Sequence, residues 1–240
     1  MSTAENQRPT AEYSRLLELT LRGCAVARAA AVALADGMSS GSAELFNDVA
    51  PREEELDTLD REINEGVTSA ITQVSPKEAR ELLSCLKFII ELERIGDLLL
   101  GFGNRARTVA PRLEPQDTKD LSTMAAILVK MLDEDYQAFQ HRDVNLAVSV
   151  LRADSELDRL RNLLFVRHIE NPDNVRRQES FHLVFMSQLL ERAGDHAKNL
   201  AEEVVHLVTG RSVRHLLRQQ DKPIETMFVE FMRRRELRKR

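Results

Sequence analysis

Four pairs of acidic residues, each spaced four positions apart, are the part of this sequence best suited to chemistry. In a helix, residues four apart lie on one face in adjacent turns, so the two carboxylates of a pair point the same way. Carboxylate oxygens grouped in this way suit hard cations such as magnesium, calcium, manganese or iron better than zinc or copper. The candidate ligands are Glu53 and Asp57, Glu93 and Asp97, Asp154 and Asp158, and Glu191 and Asp195.

The alternative interpretation is that these residues form solvated helix faces. For a single pair this is the better explanation, because the spacing is common by chance and neighbours such as Arg94 and Arg192 would form surface ion pairs of small value. Four copies at matched positions of a repeat favour a ligand cluster instead. Asn199, four residues after Asp195, continues the same face and is an additional candidate ligand.

The acidic pairs lie within an internal repeat. The phrase LERIGD at 92–97 returns as LERAGD at 190–195, an offset of 98 residues, and the acidic pairs that precede these phrases are 101 residues apart. Pro51 falls inside a predicted helix, where a proline removes a hydrogen bond, so a kink is predicted there. The predicted helices span about 12–35, 42–72, 76–107, 115–140 and 143–170, with a sixth that begins after NPDN and ends at Thr209.

Composition and loop length predict an all-α protein. Hydrophobic residues make up 42% and charged residues 30%, with only 9 glycines and 7 prolines in 240 residues, which favours helices over sheet. Long helices joined by short loops pack antiparallel, so we predict two tandem three-helix bundles plus a short amphipathic C-terminal helix. The predicted domains are a disordered N-terminus at 1–11, bundles at 12–110 and 111–210, and a basic C-terminal extension at 211–240.

Further features indicate a soluble protein of the reducing cytoplasm. Cys24 and Cys85 lie in helical apolar patterns without a CxxC motif, so they are predicted to be core residues rather than disulfide or zinc ligands. The N-terminus lacks an export signal, and no window reaches the roughly 18 apolar residues of a membrane span. The net charge of -5 divides into +6 for residues 211–240 and -11 for the rest. An acidic body of this kind argues against nucleic-acid binding.

The repeated phrases resemble those of the PhoU family of phosphate-signalling regulators. The family's D/E-xxx-D on the second helix and LERIGDHAxNIAE on the third are matched by LERAGDHAKNLAEE in the second half and by LERIGD in the first, over roughly 12–215. The resemblance implies tandem bundles that bind a metal ion (Fe, Mn, Mg, Ca or Zn) through the eight carboxylates, with Asn199. The first repeat has Leu98 and Gly101 where the family has His and Asn, so the better site is expected in the second repeat.

The resemblance also implies a regulatory function without enzymatic activity. A PhoU-like protein would be a cytoplasmic, metal-binding regulator of phosphate uptake and a negative regulator of the phosphate-starvation response. It would act in signal transduction as a homodimeric adaptor between the ATPase of a phosphate ABC transporter and a phosphate-sensing histidine kinase. A PhoU-like adaptor that serves another transport process is an alternative.

A ferritin-like di-metal carboxylate enzyme is the rival class, and it needs Glu-x-x-His on two different helices. The motif occurs as Glu179/His182 and as Glu203/His206. Both copies fall on the predicted last helix, roughly 36 Å apart at about 1.5 Å per residue, so they cannot share a site. Of the other histidines, His168 is expected at a helix end or on the surface. His196 points about 100° away from the face of Asp195, and is expected to pack or to meet solvent.

The C-terminal extension combines a helical apolar stripe with a basic end. RRRELRKR follows the stripe, which consists of Ile224, Met227, Phe228, Phe231 and Met232. Two interpretations stay open. The stripe packs on its own bundle or on a second subunit, or it makes a peripheral contact with the inner membrane leaflet or with the partner kinase.

Overall fold

Six long α-helices dominate the computed structural model, which describes residues 11–170 and 177–211. They are α1 (Ala11–Ser40), α2 (Ala50–Ala70), α3 (Pro76–Val109), α4 (Pro115–His141), α5 (Val144–Phe165) and α6 (Arg177–Thr209). Short 3₁₀ helices lie at Ala43–Val49 and Ala110–Arg112, and a π-helix lies at Val166–Glu170. The two described ranges contain no β-strand, and the predicted all-α fold is confirmed. The predicted disordered N-terminus and the amphipathic C-terminal helix lie outside the described residues.

Local sequence determines where α3 begins. The Ser75 hydroxyl accepts a hydrogen bond from the backbone N–H of Glu78, and the Glu78 carboxylate accepts one from the backbone N–H of Ser75 at 2.9 Å, which completes a capping box. Pro76 occupies the first helical position, where a missing N–H has no intrahelical acceptor to lose. The predicted start of this helix is therefore confirmed.

The predicted kink at Pro51 is wrong. Pro51 lies in the first turn of α2, and the residues before that helix form the 3₁₀ helix Ala43–Val49. A proline in the first turn removes no helical hydrogen bond, because the first backbone N–H groups of a helix have no acceptor within it. The predicted helix at 42–72 is therefore two elements. The predicted helix at 143–170 is also divided, since its α-helical part ends at Phe165 and a π-helix follows.

Helices α1 to α3 form the first bundle and α4 to α6 the second, and both contribute to one hydrophobic core. Across the boundary, α1 packs against α4 and α3 packs against α6. The rings of Phe88 and Phe139 meet there with their centroids 4.3 Å apart. Cys24 and Cys85 are buried and unbridged, as predicted. None of the described helices combines the length and apolar character needed to cross a membrane.

The contact between α3 and α6 is antiparallel and follows the repeat. At one end the Ser84 hydroxyl donates to the Glu203 carboxylate at 2.7 Å, and at the other Arg105 lies 3.5 Å from the His182 ring. Adding the repeat offset of 98 to positions 84 and 105 gives 182 and 203, so the two contacts join equivalent positions. An approximate two-fold axis between α3 and α6 therefore relates the two repeats.

Candidate functional site

The eight predicted carboxylates lie in two clusters, one in each bundle. The first cluster is Glu53 and Asp57 on α2 with Glu93 and Asp97 on α3. The second cluster is Asp154 and Asp158 on α5 with Glu191 and Asp195 on α6. In each cluster, carboxylates on one helix perturb the pKa of a carboxylate on the other, so the two acidic stripes are neighbours.

A glycine in each repeated phrase lets the two helices of a cluster approach each other. A Cβ atom at Gly96 would lie 2.8 Å from Cδ1 of Leu56, and one at Gly194 would lie 2.4 Å from Cδ1 of Leu157. Side-chain carbons in packed interiors do not approach to these distances. The glycine of the GD step therefore permits close packing of the helices, and the aspartate that follows it supplies a carboxylate beside that contact.

The first cluster is a concentration of negative charge, and none of its carboxylates forms an ion pair within the described part of the chain. Burial raises the pKa of Glu53, and the carboxylates of Asp57 and Asp97 raise it further. Burial, Asp97 and Asp57 raise the pKa of Glu93, while Arg94 acts in the opposite direction. The four side chains therefore repel one another without a bound counter-charge from the protein.

The second cluster contains two cations from the protein itself. Lys198 Nζ donates to Asp154 Oδ2, and Arg161 Nη2 donates to Glu191 Oε1 at 3.2 Å. Asp154 is only 5% exposed, and burial raises its pKa although Lys198 lowers it. Burial likewise raises the pKa of Glu191, and Arg161 opposes the shift. Each ion pair joins α5 to α6, the two helices that a metal ion in this cluster would join.

Two differences between the repeats explain why the second cluster contains ion-paired cations and the first does not. With the offset of 101, Arg161 corresponds to Asp60, and with the offset of 98, Lys198 corresponds to Leu100. The first bundle thus has a further carboxylate where the second has a guanidinium, and Asp60 contributes to the raised pKa of Glu93. Reasoning from the sequence missed both cations, although a position-by-position comparison of the two repeats would have shown them.

The side chains of neither cluster converge on one point. Within the described ranges, no three His, Cys, Asp or Glu side chains are arranged to hold a metal ion. The donor chemistry of the first cluster nevertheless fits a hard cation, because its oxygens are anionic and free of protein cations. The second cluster does not fit a bound metal ion, because Lys198 and Arg161 already form ion pairs with two of its carboxylates.

Asn199, the ninth candidate ligand, faces the boundary between the bundles. Its Nδ2 donates to Oε2 of Glu91 on α3 at 3.0 Å, and Nδ1 of His196 lies 2.5 Å from the same oxygen. Burial acts to raise the pKa of Glu91, but these two hydrogen bonds together with the nearby Arg94 lower it, and the net pKa is lowered. His196 was expected to pack or to meet solvent, and it packs at the boundary between the bundles within hydrogen-bond distance of Glu91.

His168 lies at a helix end, one of its two expected positions, and its ring is mostly covered rather than on the surface. Its Nε2 lies 2.9 Å from Asp117 Oδ1 and its Nδ1 lies 3.0 Å from Ser180 Oγ, while Arg167 donates to Asp117 and Asp120 at 3.0 and 2.7 Å. The π-helix directs these two consecutive basic side chains onto α4, and no sequence signal marked it. Both aspartates are buried, so the network satisfies charges that would otherwise be costly inside the protein.

Both Glu-x-x-His motifs lie on α6, as predicted. Glu203 accepts hydrogen bonds from Ser84 and Lys87, and His182 contacts Arg105, so both motifs face α3 at separate points. A ferritin-like site that draws such motifs from two helices is therefore not formed by the residues that the structure describes.

A sequence model of the PhoU domain matches residues 25–103 and 121–204, one match in each bundle. The "Phosphate-specific transport system accessory protein PhoU homolog 1" of Thermotoga maritima is 30% identical over 181 residues, which are 72% of this chain and 77% of that protein. The PhoU homolog of Pseudomonas aeruginosa is 31% identical over 185 residues, which are 74% of each protein.

Solved structures show the same architecture. The crystal structure of PhoU from Pseudomonas aeruginosa aligns with a TM-score of 0.75 at 26% identity and covers 84% of this chain and 99% of its own. The crystal structure of the phosphate transport system regulatory protein PhoU from Streptococcus pneumoniae gives 0.72 at 18% identity, with coverages of 84% and 97%. At 18% identity, the similarity to the Streptococcus pneumoniae structure concerns the fold alone.

Proposed function

Because this chain belongs to the PhoU family, we propose that it is an accessory protein of a phosphate transport system and a negative regulator of the phosphate-starvation response. The observation that carries the proposal is the PhoU domain match in both bundles. Relatives named as phosphate-specific transport accessory proteins, similar over nearly three quarters of the chain, support it.

As such an adaptor, the protein would bind the ATPase of a phosphate ABC transporter and a phosphate-sensing histidine kinase. It would do so in the cytoplasm, as a homodimer. Light scattering on the purified protein tests the dimer, and co-purification with each tagged partner tests the two contacts. Retention of neither partner, at concentrations where the protein is folded, would contradict the adaptor role.

A metal ion bound at the first cluster is the second part of the proposal. Glu53, Asp57, Glu93 and Asp97 would hold it, and the ion would neutralise carboxylates that now repel one another across α2 and α3. The sequence predicts the better site in the second repeat. The ion pairs of Lys198 and Arg161 there favour the first cluster instead, since a metal ion in the second cluster would have to displace two cations.

Metal binding can be measured separately from regulation. Manganese titrated calorimetrically into metal-free protein should bind, and the double variant Glu53→Gln/Asp97→Asn should weaken that binding strongly because two anionic oxygens are removed. A matched control is Asp36→Asn/Glu44→Gln, which removes two exposed carboxylates of the same bundle that make no side-chain ion pair with any residue the structure describes. Equal binding by both variants would exclude the first cluster as the site.

The regulatory role is tested in a strain deleted for this gene and grown in ample phosphate. A phosphate-repressed reporter such as alkaline phosphatase should be highly active in that strain, and wild-type protein should silence it. Failure of the first-cluster variant to silence it, at equal protein level and with the control variant active, would tie the carboxylates to signalling. An unchanged low activity in the deleted strain would contradict the proposal and favour a PhoU-like adaptor for another transport process.

The basic extension at 211–240 is proposed to support a peripheral membrane contact. Its charge of +6 and its apolar stripe are the supporting observations, and both come from the sequence. Flotation of the full-length protein with anionic liposomes should exceed that of a chain ending at Gln220. Equal flotation of the two proteins would eliminate this contact and favour packing of the stripe on protein.

A further inference from the structure

A groove lies between the N-terminal half of α3 and the C-terminal half of α6. The groove holds a cavity of about 750 Å³, within the usual size range of small-molecule sites. We call it the basic groove, because four cations and two carboxylates line it. These charged residues are Lys77, Arg80, Lys87, Arg142, Glu81 and Glu203.

The two carboxylates of the basic groove are already engaged. Glu81 accepts hydrogen bonds from the Tyr13 hydroxyl at 2.9 Å and from Arg142 at 2.6 Å. Glu203 accepts one from the Ser84 hydroxyl at 2.7 Å and one from Lys87 at 2.8 Å. The two carboxylates of the groove are therefore neutralised by Arg142 and Lys87. No carboxylate among the described residues that line the groove is left to balance its other two cations.

Lys77 and Arg80 are the cations that remain. They lie three residues apart in the first turns of α3, so their side chains share one face of the helix. Both are exposed, and neither forms an ion pair within the described part of the chain. A ligand with two or more negative charges would be matched by these two side chains at the end of the groove that they occupy.

The walls beyond these cations are apolar and then acidic. Leu83, which is 45% exposed, and the side chains of Leu207 and Val208 provide an apolar surface. A smaller adjoining cavity of about 330 Å³ is lined by Glu91 and Glu202. The groove thus has cations at one end, an apolar middle and, in the adjoining cavity, the carboxylates of Glu91 and Glu202.

The chain's own C-terminal extension is a poor candidate occupant on grounds of charge. Residues 211–240 contain ten Lys and Arg against four Asp and Glu, so a basic segment would have to enter a basic groove. Like charges at close range oppose such packing. A separate anionic molecule satisfies the unpaired Lys77 and Arg80 better.

We propose that the basic groove binds a small phosphorylated organic molecule of the nucleotide type. Its phosphates lie at Lys77 and Arg80, its body lies against Leu83, and its hydrogen-bond donors point toward the acidic cavity. The site is distinct from both carboxylate clusters, and it would allow a soluble metabolite to act on the contact between the two bundles.

Calorimetric titration of the full-length protein with ATP, pyrophosphate and adenosine tests the proposal. ATP should bind more tightly than pyrophosphate, and both more tightly than adenosine, because the phosphates supply the charge and the body supplies apolar contact. The double variant Lys77→Glu/Arg80→Glu should weaken ATP binding by at least about tenfold, since two charge-assisted contacts become repulsions. Vesicles containing phosphatidylglycerol serve as the competing source of phosphate groups.

The matched control is Arg112→Glu/Lys119→Glu, which reverses two exposed cations outside the groove that form no ion pair within residues 11–170 and 177–211. This control should retain wild-type ATP affinity, and thermal unfolding should show all three proteins equally folded. Absence of ATP binding, or equal weakening by both double variants, would overturn the proposal. Binding to the vesicles but to none of the soluble probes would also overturn it, in favour of a lipid headgroup.

Discussion

Replacing Lys198 with leucine should expose the energetic role of the cations in the second cluster. Leucine is the residue that occupies the equivalent position, Leu100, in the first repeat. The variant leaves the Asp154 carboxylate without its partner, and the Asp154 side chain is 7% exposed while that of Lys198 is 30% exposed. Breaking a buried ion pair by removing one partner costs about 3–5 kcal/mol, and an exposed pair contributes about 0–1 kcal/mol. Since only the carboxylate is fully buried, we expect a loss of about 2 kcal/mol at neutral pH.

The loss should depend on pH in a defined direction. Burial already raises the pKa of Asp154 above 3.8 and Lys198 opposes that shift, so removing Lys198 raises it further. In the window above pH 3.8 the folded protein then binds more protons than the unfolded chain, and stability decreases as the pH rises through it. The difference between wild type and variant should therefore be small near pH 4 and largest at pH 7 and above.

Urea unfolding followed by circular dichroism at pH 4.5 and pH 7.5 measures both quantities. Lys119→Leu is the matched control, because Lys119 is exposed and forms no ion pair in the described part of the chain, and it should change stability by less than about 0.5 kcal/mol. A loss of the same size at both pH values, or a loss no larger than that of the control, would show that Lys198 does not support a buried carboxylate.

Two further predictions concern buried positions outside the clusters. Asp135 is fully buried, and neither of its carboxylate oxygens is hydrogen-bonded to a residue that the structure describes; burial raises its pKa well above 3.8. Above pH 3.8 the unfolded chain loses a proton that folded Asp135 retains, so this residue destabilises the fold as the pH rises. Asp135→Asn should therefore increase the free energy of unfolding by about 1–3 kcal/mol at pH 7 and by less at pH 4, as measured by urea unfolding. Gly194→Ala should destabilise the protein by about 1–3 kcal/mol in thermal unfolding, because the new Cβ would overpack against Leu157. At Gly101 a new Cβ would lie 3.6 Å from Leu189, an ordinary contact, so Gly101→Ala should stabilise the helix by up to about 1 kcal/mol in the same measurement. Equal effects of the two glycine variants would refute the close-approach argument.

The helices and the repeat could be predicted because their signals are local and periodic. Ser75 and Pro76 mark the start of α3 by capping chemistry that depends on neighbouring residues only. The four acidic pairs shared a spacing and a place in the repeat, so their grouping in two clusters also followed from the sequence. Pro51 was misread because a proline has the same appearance inside a helix and in its first turn, and the preceding 3₁₀ helix decides between the two.

The partners of charged side chains could not be predicted in the same way. Lys198 reaches Asp154 from 44 residues away and His196 reaches Glu91 from 105 residues away, so both contacts depend on how the helices are placed in space. His168 lies within hydrogen-bond distance of the buried Asp117 because a π-helix changes the direction of its side chain. Side-chain pairing across elements is a property of tertiary packing, and the spacing of residues within one helix does not contain it.

Lys198 and Arg161 are covalent parts of the chain, so no chelator and no dilution can remove the counter-charge that they give to the second cluster. Apart from the nearby Arg94, the first cluster takes its counter-charge from the surrounding solution. The second bundle should therefore be insensitive to the ionic composition of the solution, whereas the first bundle should respond to it. A fall in available cations should loosen α2 against α3 while α5 and α6 stay as they are, and the undisturbed half would serve as a fixed reference for the change.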